Sequence, residues 1–213
     1  MSFLYKFNIP SYINSKIKKN FNFRFNSIQA FNGKPQFVKF FPTRFFYCVN
    51  GENTIKLKSK DIIPFFTFLK YHTGTAYSQL IDITAVDHSE RKLRFEVIYQ
   101  LLSVFYNQRL SVSIYTSEGK PLESITSIYS SAGWYERETW DRYGIYFVNH
   151  SDRRRRLTDY GFKGHPLRKD FPLTGYVEVR YDDSRKRIVY EKVSLSQEFR
   201  LFGLYNPWGF ISY

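Results

Sequence analysis

The 213-residue chain is long enough for one domain with extensions and a substantial core. Its single cysteine, Cys48, excludes an internal disulfide and a thiolate set for an iron–sulfur cluster or structural zinc. A net charge of +13 implies a basic surface, and one residue in five is aromatic (Phe 22, Tyr 18, Trp 3), which implies aromatic packing in the core or against partners. A/T-rich codon usage in a skewed genome accounts for the same aromatic bias equally well.

Residues 1–60 hold eleven Lys or Arg against the single acid Glu52, a net +10. Such an arm reads as an attachment to acidic proteins, nucleic acid or anionic head groups, or as a solvated face kept soluble by charge. Its first 25 residues are basic and free of acids, as in a mitochondrial presequence, yet rich in Phe and Asn and poor in Arg. Import without cleavage and synthesis inside the organelle both stay open. Within the arm, Phe45–Val49 and Thr54–Leu57 flank Asn50-Gly51, which predicts a tight hairpin. Ile62–His72 carries Ile62, Phe65, Phe66 and Leu69 at helical spacing and is stopped by Gly74. Leu80–Val86, Leu93–Phe105 and Leu110–Tyr115 read as strands. Ser124 is placed to N-cap a short helix that turns Ile125, Ile128 and Tyr129 to the sheet. Trp134–Tyr143 follows as a helix ended by Gly144, with Arg137–Asp141 and Glu138–Arg142 as i, i+4 pairs and Trp134 as a core aromatic. Tyr176–Tyr181 and Ile188–Val193 predict a hairpin around Asp182-Asp183-Ser184. No run approaches the ~20 apolar residues that span a bilayer.

These elements predict an α+β fold, a mixed sheet with helices packed on one face, followed by an irregular docking segment and an extended C-terminal tail. The domains expected are a basic, aromatic extension over 1–60, an α+β core over 61–195 and a tail over 196–213. Between Gly161 and Tyr176, Gly161, Gly164, Pro166, Pro172 and Gly175 wind the backbone. The aromatics Tyr160, Phe162, Phe171 and Tyr176 are expected to pack inward there, with Arg168, Lys169 and Asp170 serving as partners for the backbone.

Catalytic parts are missing. The carboxylates Glu136, Glu138 and Asp141 read as salt-bridged structural groups rather than an acid–base dyad, because Glu136 and Glu138 do not face each other on a helix. His72, His88, His150 and His165 lack metal-ligand spacing, and His165 before Pro166 is expected to be buried and hydrogen-bonded. No phosphate-binding loop or nucleophile elbow occurs. Arg153–Arg156, bracketed by Asp152 and Asp159, suits bidentate carboxylate pairing better than nucleic-acid contact.

The stretch Trp134-Tyr-Glu-Arg-Glu-Thr-Trp-Asp-Arg-Tyr-Gly-Ile145, with Asn149–Arg153, Leu157–Phe162, Gly164–Leu173 and Gly175–Asp183, closely resembles a peripheral-arm subunit of respiratory complex I, the thirty-kilodalton subunit, or subunit nine in mitochondria. Leu80–Asp87, Arg94–Ser103, Gln197–Arg200 and Asn206–Trp208 extend the likeness over about the last two thirds of the chain. The resemblance implies a non-catalytic subunit of the proton-pumping NADH:ubiquinone oxidoreductase on the matrix side of the mitochondrial inner membrane. Its implied partners are the large quinone-site subunit and the iron–sulfur subunits. It implies no cofactor in this chain, the complex as a whole carrying FMN, iron–sulfur clusters and ubiquinone. Arg153, Arg154, Arg168, Lys169, Asp170, Phe171, Phe199, Phe202 and Trp208 are the expected docking residues, the last three as anchors of an apolar tail. The alternative from another class is a basic organellar nucleic-acid-binding or ribosomal protein.

Overall fold

The computed structural model describes the backbone of residues 45–49 and the whole of residues 52–203. Five strands form the main sheet: β1 (Phe45–Val49), β2 (Glu52–Leu57), β3 (Gln79–Asp87), β4 (Phe95–Ser103) and β5 (Gln108–Thr116). Their order is β1-β2-β5-β4-β3, with β2 and β5 parallel and the other pairs antiparallel. The expected hairpin of β1 and β2 forms, while its turn residues Asn50 and Gly51 lie outside the described residues. The boundary expected after residue 60 falls too late. β2 belongs to the core sheet, pairing Ile55 with Val112 and Leu57 with Ile114, and both of its apolar side chains are buried.

Register explains the core. Ile55, Val112, Tyr99 and Ile83 lie across one row, and Leu57, Ile114, Val97 and Ala85 across the next, all buried on the same face. Period-2 alternation puts each of these side chains on the same side of the pleat. Helix α1 (Ile62–Tyr71) covers that face through Ile62, Phe65, Phe66 and Leu69, the i, i+3, i+4, i+7 stripe of the sequence. Phe66 meets Tyr99 at a ring separation of 4.9 Å. Pro64 sits in the first turn, where no intrahelical N–H is lost.

The segment around Ser124 forms turns rather than a short helix. Two-residue strands β6 (Leu122–Glu123) and β7 (Phe147–Val148) pair in parallel, and the ladder continues as Ser124 N donates to Val148 O. Beyond it, Ile128 N and Tyr129 N both donate to Ile125 O, which buries Ile125, Ile128 and Tyr129 as expected. Ser124 is not an N-cap; its hydroxyl meets Glu136 instead.

Helix α2 (Ala132–Tyr143) begins two residues earlier than expected and ends at Gly144, whose φ of +75° suits a residue without a Cβ. Its buried residues are Ala132, Glu136, Thr139 and Asp141, so its inward face is small and polar. Thr139 Oγ1 donates to the carbonyls of Tyr135 at 2.8 Å and Ile83 at 3.3 Å, holding α2 against β3. The last strands, β8 (Val177–Asp182) and β9 (Arg187–Lys192), form a separate antiparallel hairpin that pairs with no strand of the main sheet. Asp182 closes its turn by accepting Ser184 N and Oγ.

Candidate docking surface

Helix α2 organises everything that follows it. A helix leaves its last carbonyls without intrahelical donors. Here the irregular segment supplies them: His165 Nδ1–H donates to Asp141 O at 3.0 Å, Leu167 N to Arg142 O at 3.1 Å, and Arg168 Nε to Tyr143 O at 2.6 Å. The first of these fixes the imidazole tautomer. Burial lowers the His165 pKa, and the nearby Arg168 and Arg155 charges push in the same direction. His165 is thus a neutral cap, hydrogen-bonded as expected. A Cβ at Gly144 would approach Arg168 Nη2 to 2.5 Å and His165 to 2.7 Å, so the close packing needs glycine as much as the φ does.

The side chain of Asp141 holds the loop after β7. Its carboxylate accepts Thr158 Oγ1 at 2.7 Å, Arg155 Nη1 at 2.8 Å, and the N–H groups of Leu157 at 2.9 Å and Thr158 at 3.0 Å. Burial alone would raise its pKa, but these donors outweigh it and hold the group at about 2. Arg155 also reaches Gly164 O and lies over Trp140 and Phe162. The expected Arg137–Asp141 pair is absent for this reason. Arg137 turns instead to the carbonyls of Arg154 and Arg155 and to Asp152. Glu138–Arg142 forms as expected at 2.9 Å, with Arg156 as a second partner of Glu138.

A second anchor ties the segment to the sheet. Asp87, buried at the end of β3, takes Arg94 bidentately at 2.7 Å on each oxygen and accepts Lys169 N at 2.9 Å. Arg94 lowers the Asp87 pKa, against its burial. The same guanidinium reaches Asp170 at 3.1 Å. Sequence reasoning misses Asp87, though a signal exists: it continues the inward parity of Ile83 and Ala85, where a carboxylate requires a cation.

Several sequence expectations are corrected. Tyr160, expected inward, is 96% exposed, and Tyr176 stands mostly in solvent at the rim of the Phe162–Phe171–Tyr176 ring cluster. Phe171 packs inward and Arg168 serves a backbone carbonyl, as expected of them within the segment, although both are also expected docking residues. Arg168 pairs with Glu118 and Tyr143 O, and Phe171 lies against Gly164, where a Cβ would meet its ring at 2.8 Å. Asp170 is spent on Arg94. Arg153 is exposed over the Tyr146 ring, Arg154 is exposed and paired with Asp152, and Lys169 is exposed. Phe199 and Phe202 are exposed, whereas Trp208 lies outside the described residues. Glu136, expected in a surface salt bridge, is fully buried.

Trp134 is the plainest correction, being 58% exposed between the guanidinium groups of Arg137 and Arg156 at 5.1 and 5.3 Å. A core aromatic would cost several kcal/mol to delete; an exposed cation–π contact is worth far less. Trp134→Ala should therefore destabilise by only about 1 kcal/mol in urea unfolding. A loss of the size seen for a core aromatic would show that the ring is buried.

Exposed apolar residues gather downstream. In the β8–β9 register, Val177, Val179, Tyr181, Ile188 and Tyr190 share one face, and each is more than half exposed. Leu201 adds to Phe199 and Phe202 in the tail. Soluble monomers rarely carry so continuous an apolar strip, and Tyr and Arg at its edge are the residues enriched where partners bind. Among the described residues, no group of three or more His, Cys, Asp or Glu could hold a metal ion, and no helix is long and apolar enough to cross a membrane.

Comparison with known proteins agrees with this geometry. Residues 55–177, which contain most of the sheet, α2 and the irregular segment, match the family described as respiratory-chain NADH dehydrogenase, 30 Kd subunit. NADH-ubiquinone oxidoreductase subunit 9 of Reclinomonas americana is 53% identical over 158 residues, 74% of this chain and 78% of that protein. A bacterial NADH-quinone oxidoreductase subunit, from Paramagnetospirillum magneticum, is also 53% identical, over 74% of this chain and 79% of its own. NADH dehydrogenase [ubiquinone] iron-sulfur protein 3 of Oryza sativa is 56% identical over 69% of this chain and 77% of its own. A chain in the structure of the membrane-bound sulfane sulfur reductase, an archaeal respiratory membrane complex, shares the fold at 20% identity with a TM-score of 0.53, covering 65% of this chain and 82% of that one. The matched segment is the one that α2 organises, and the chain belongs to the family of 30 Kd subunits of respiratory-chain NADH dehydrogenase.

Proposed function

We propose that this chain is a structural, non-catalytic subunit of the proton-translocating NADH:ubiquinone oxidoreductase, in the peripheral arm on the matrix side of the mitochondrial inner membrane. Its work is to hold neighbours in place. The large quinone-site subunit and the iron–sulfur subunits are the neighbours, and electron-transfer distances depend on their spacing. FMN, clusters and ubiquinone belong to those partners, and this chain holds none of them. The observation that carries this reading is the contrast across α2: the Asp141 carboxylate and the last helix carbonyls are paired with the irregular segment, while apolar groups beyond it face outward. A rigid segment presenting exposed Tyr, Val, Ile and Phe side chains suits a permanent interface, whose core is more apolar than ordinary surface.

The outward set is Arg153, Arg154, Lys169, the apolar face of β8–β9, and the tail anchors Phe199 and Phe202, with Trp208, outside the described residues, proposed as a third anchor. Arg168, Asp170 and Phe171 support it from beneath. The nucleic-acid alternative loses its main feature, because Arg154, Arg155 and Arg156 each engage a carboxylate. Deleting the residues after Glu198 should leave the unfolding midpoint of the isolated chain unchanged. Incorporation into the complex should fail, read as loss of co-migration with NADH dehydrogenase activity on a native gel. A truncated chain that assembles normally would remove the tail from the interface.

A further inference from the structure

Glu136 has no part in the docking surface, yet it is an acid fully buried on the inner face of α2. Its Oε1 accepts Ile125 N at 2.8 Å, and its Oε2 lies 2.6 Å from Ser124 Oγ. Ser124 Oγ in turn lies 2.9 Å from Thr126 Oγ1 and accepts Thr126 N at 3.2 Å. Ser124 and Thr126 line an open cleft of about 390 Å³, together with Ile63 and Asn149. The carboxyl thus meets solvent through two hydroxyls in series.

Both protonation states satisfy this chain. With Glu136 neutral, Oε2–H donates to Ser124 Oγ and the Ser124 hydroxyl donates to Thr126 Oγ1. With Glu136 ionised, both hydroxyls reverse: Ser124 donates to the carboxylate and Thr126 donates to Ser124. No donor or acceptor is orphaned either way. The change of state is a relay: the Oε2–H proton passes to Ser124 Oγ, the Ser124 proton passes to Thr126 Oγ1, and the Thr126 proton leaves to solvent in the cleft. One O–H bond forms for each that breaks, and each hydroxyl oxygen is neutral before and after.

His150 is the nearest ionisable neighbour. It is buried, with Nε2 3.8 Å from Glu136 Oε2. Nε2–H donates to Gly133 O at 3.0 Å, and Nδ1 accepts Asp152 N at 3.0 Å, which fixes the tautomer. Asp152 in turn pairs with Arg137 and Arg154. The other titratable or charged groups around Glu136 are Tyr99 from β4, whose hydroxyl has no hydrogen-bond partner among the described residues, Tyr146 and Arg153 beside His150, and Glu123 at the cleft.

We propose that Glu136 is a buried proton-binding site that exchanges with solvent through the hydroxyls of Ser124 and Thr126. Burial raises the Glu136 pKa to about 7, against the opposing pull of Ser124 and Ile125 N, so the site changes occupancy around neutral pH.

Infrared titration of the full-length chain tests this directly and does not depend on assembly. A protonated-carboxyl band should fade with a midpoint of about 7 and be missing in Glu136→Gln. Ser124→Ala removes a hydrogen bond that favours the charged form, so the midpoint should rise; this variant decides the matter even where Glu136→Gln does not fold. Thr126→Val should slow proton uptake after a pH jump several-fold. A band that titrates only in the ordinary carboxyl range, or an unmoved midpoint in Ser124→Ala, overturns the site. An unchanged rate in Thr126→Val overturns the route.

Discussion

Asp141→Ala should destabilise the protein by about 3–5 kcal/mol, the cost of breaking a buried ion pair by removing one partner. The carboxylate is inaccessible and gathers donors from Arg155, Leu157 and Thr158; without it the N–H groups of Leu157 and Thr158 lose their acceptor, and Arg155 loses its ion pair while keeping Gly164 O. The loss should also have a pH signature. Folding lowers the Asp141 pKa from 3.8 to about 2, so its contribution is complete above 3.8 and disappears as pH falls through about 2. The shift corresponds to about 2 kcal/mol, smaller than the alanine penalty because protonation leaves the oxygens in place. Urea unfolding of wild type and variant across that window gives both quantities. A variant less than about 1 kcal/mol weaker than wild type would mean the loop is held by other contacts.

Arg94→Ala is expected to cost a similar amount, about 3–5 kcal/mol, for the opposite reason: it strands a buried acid. Asp87 would keep only Lys169 N, and Asp170 would lose its cation. The effect should spread from the sheet to the irregular segment, because that guanidinium touches both. A double-mutant cycle separates the causes. Adding Asp87→Ala to Arg94→Ala removes the stranded charge, so the pair should cost less than the two single losses combined. Hydrogen exchange at the Lys169 amide should quicken in Arg94→Ala. Additive losses with an unaltered Lys169 amide would disconnect the two regions.

Regular periodicity was legible where the core is apolar. The stripe of α1, the alternation of β4 and the pairing of β1 with β2 each match the sequence pattern, because local pattern and burial agree there. Helix α2 defeats the same reasoning. Its inward face is Ala132, Glu136 and Thr139, and Trp134, one of its two tryptophans, stands outside. A rule that equates inward with apolar selects the wrong side of such a helix. The parallel pairing of β2 with β5 had no local signal either, since a strand's partner some fifty residues away leaves no mark on its own alternation. Within the run Arg153–Arg156, Arg154, Arg155 and Arg156 meet carboxylates as expected, whereas Arg153 lies over the Tyr146 ring. Which of the candidate docking residues point outward depends on the path of the backbone between Gly161 and Gly175, and composition alone does not set that path.

The capping of α2 by residues that follow it has a consequence for how the chain is made. At twelve residues, and with little apolar surface, α2 is too short to persist alone in water. The groups that quench its last carbonyls arrive with His165, Leu167 and Arg168, more than twenty positions later. During synthesis from the amino terminus, β3, β4 and β5 leave the ribosome with their hairpin partners already adjacent, whereas α2 must wait. The step that fixes the helix is the one that lays down the irregular segment. A nascent chain halted near residue 150 therefore holds a formed sheet and an unfinished interface, so whatever recognises completed copies of this protein has a built-in mark to read.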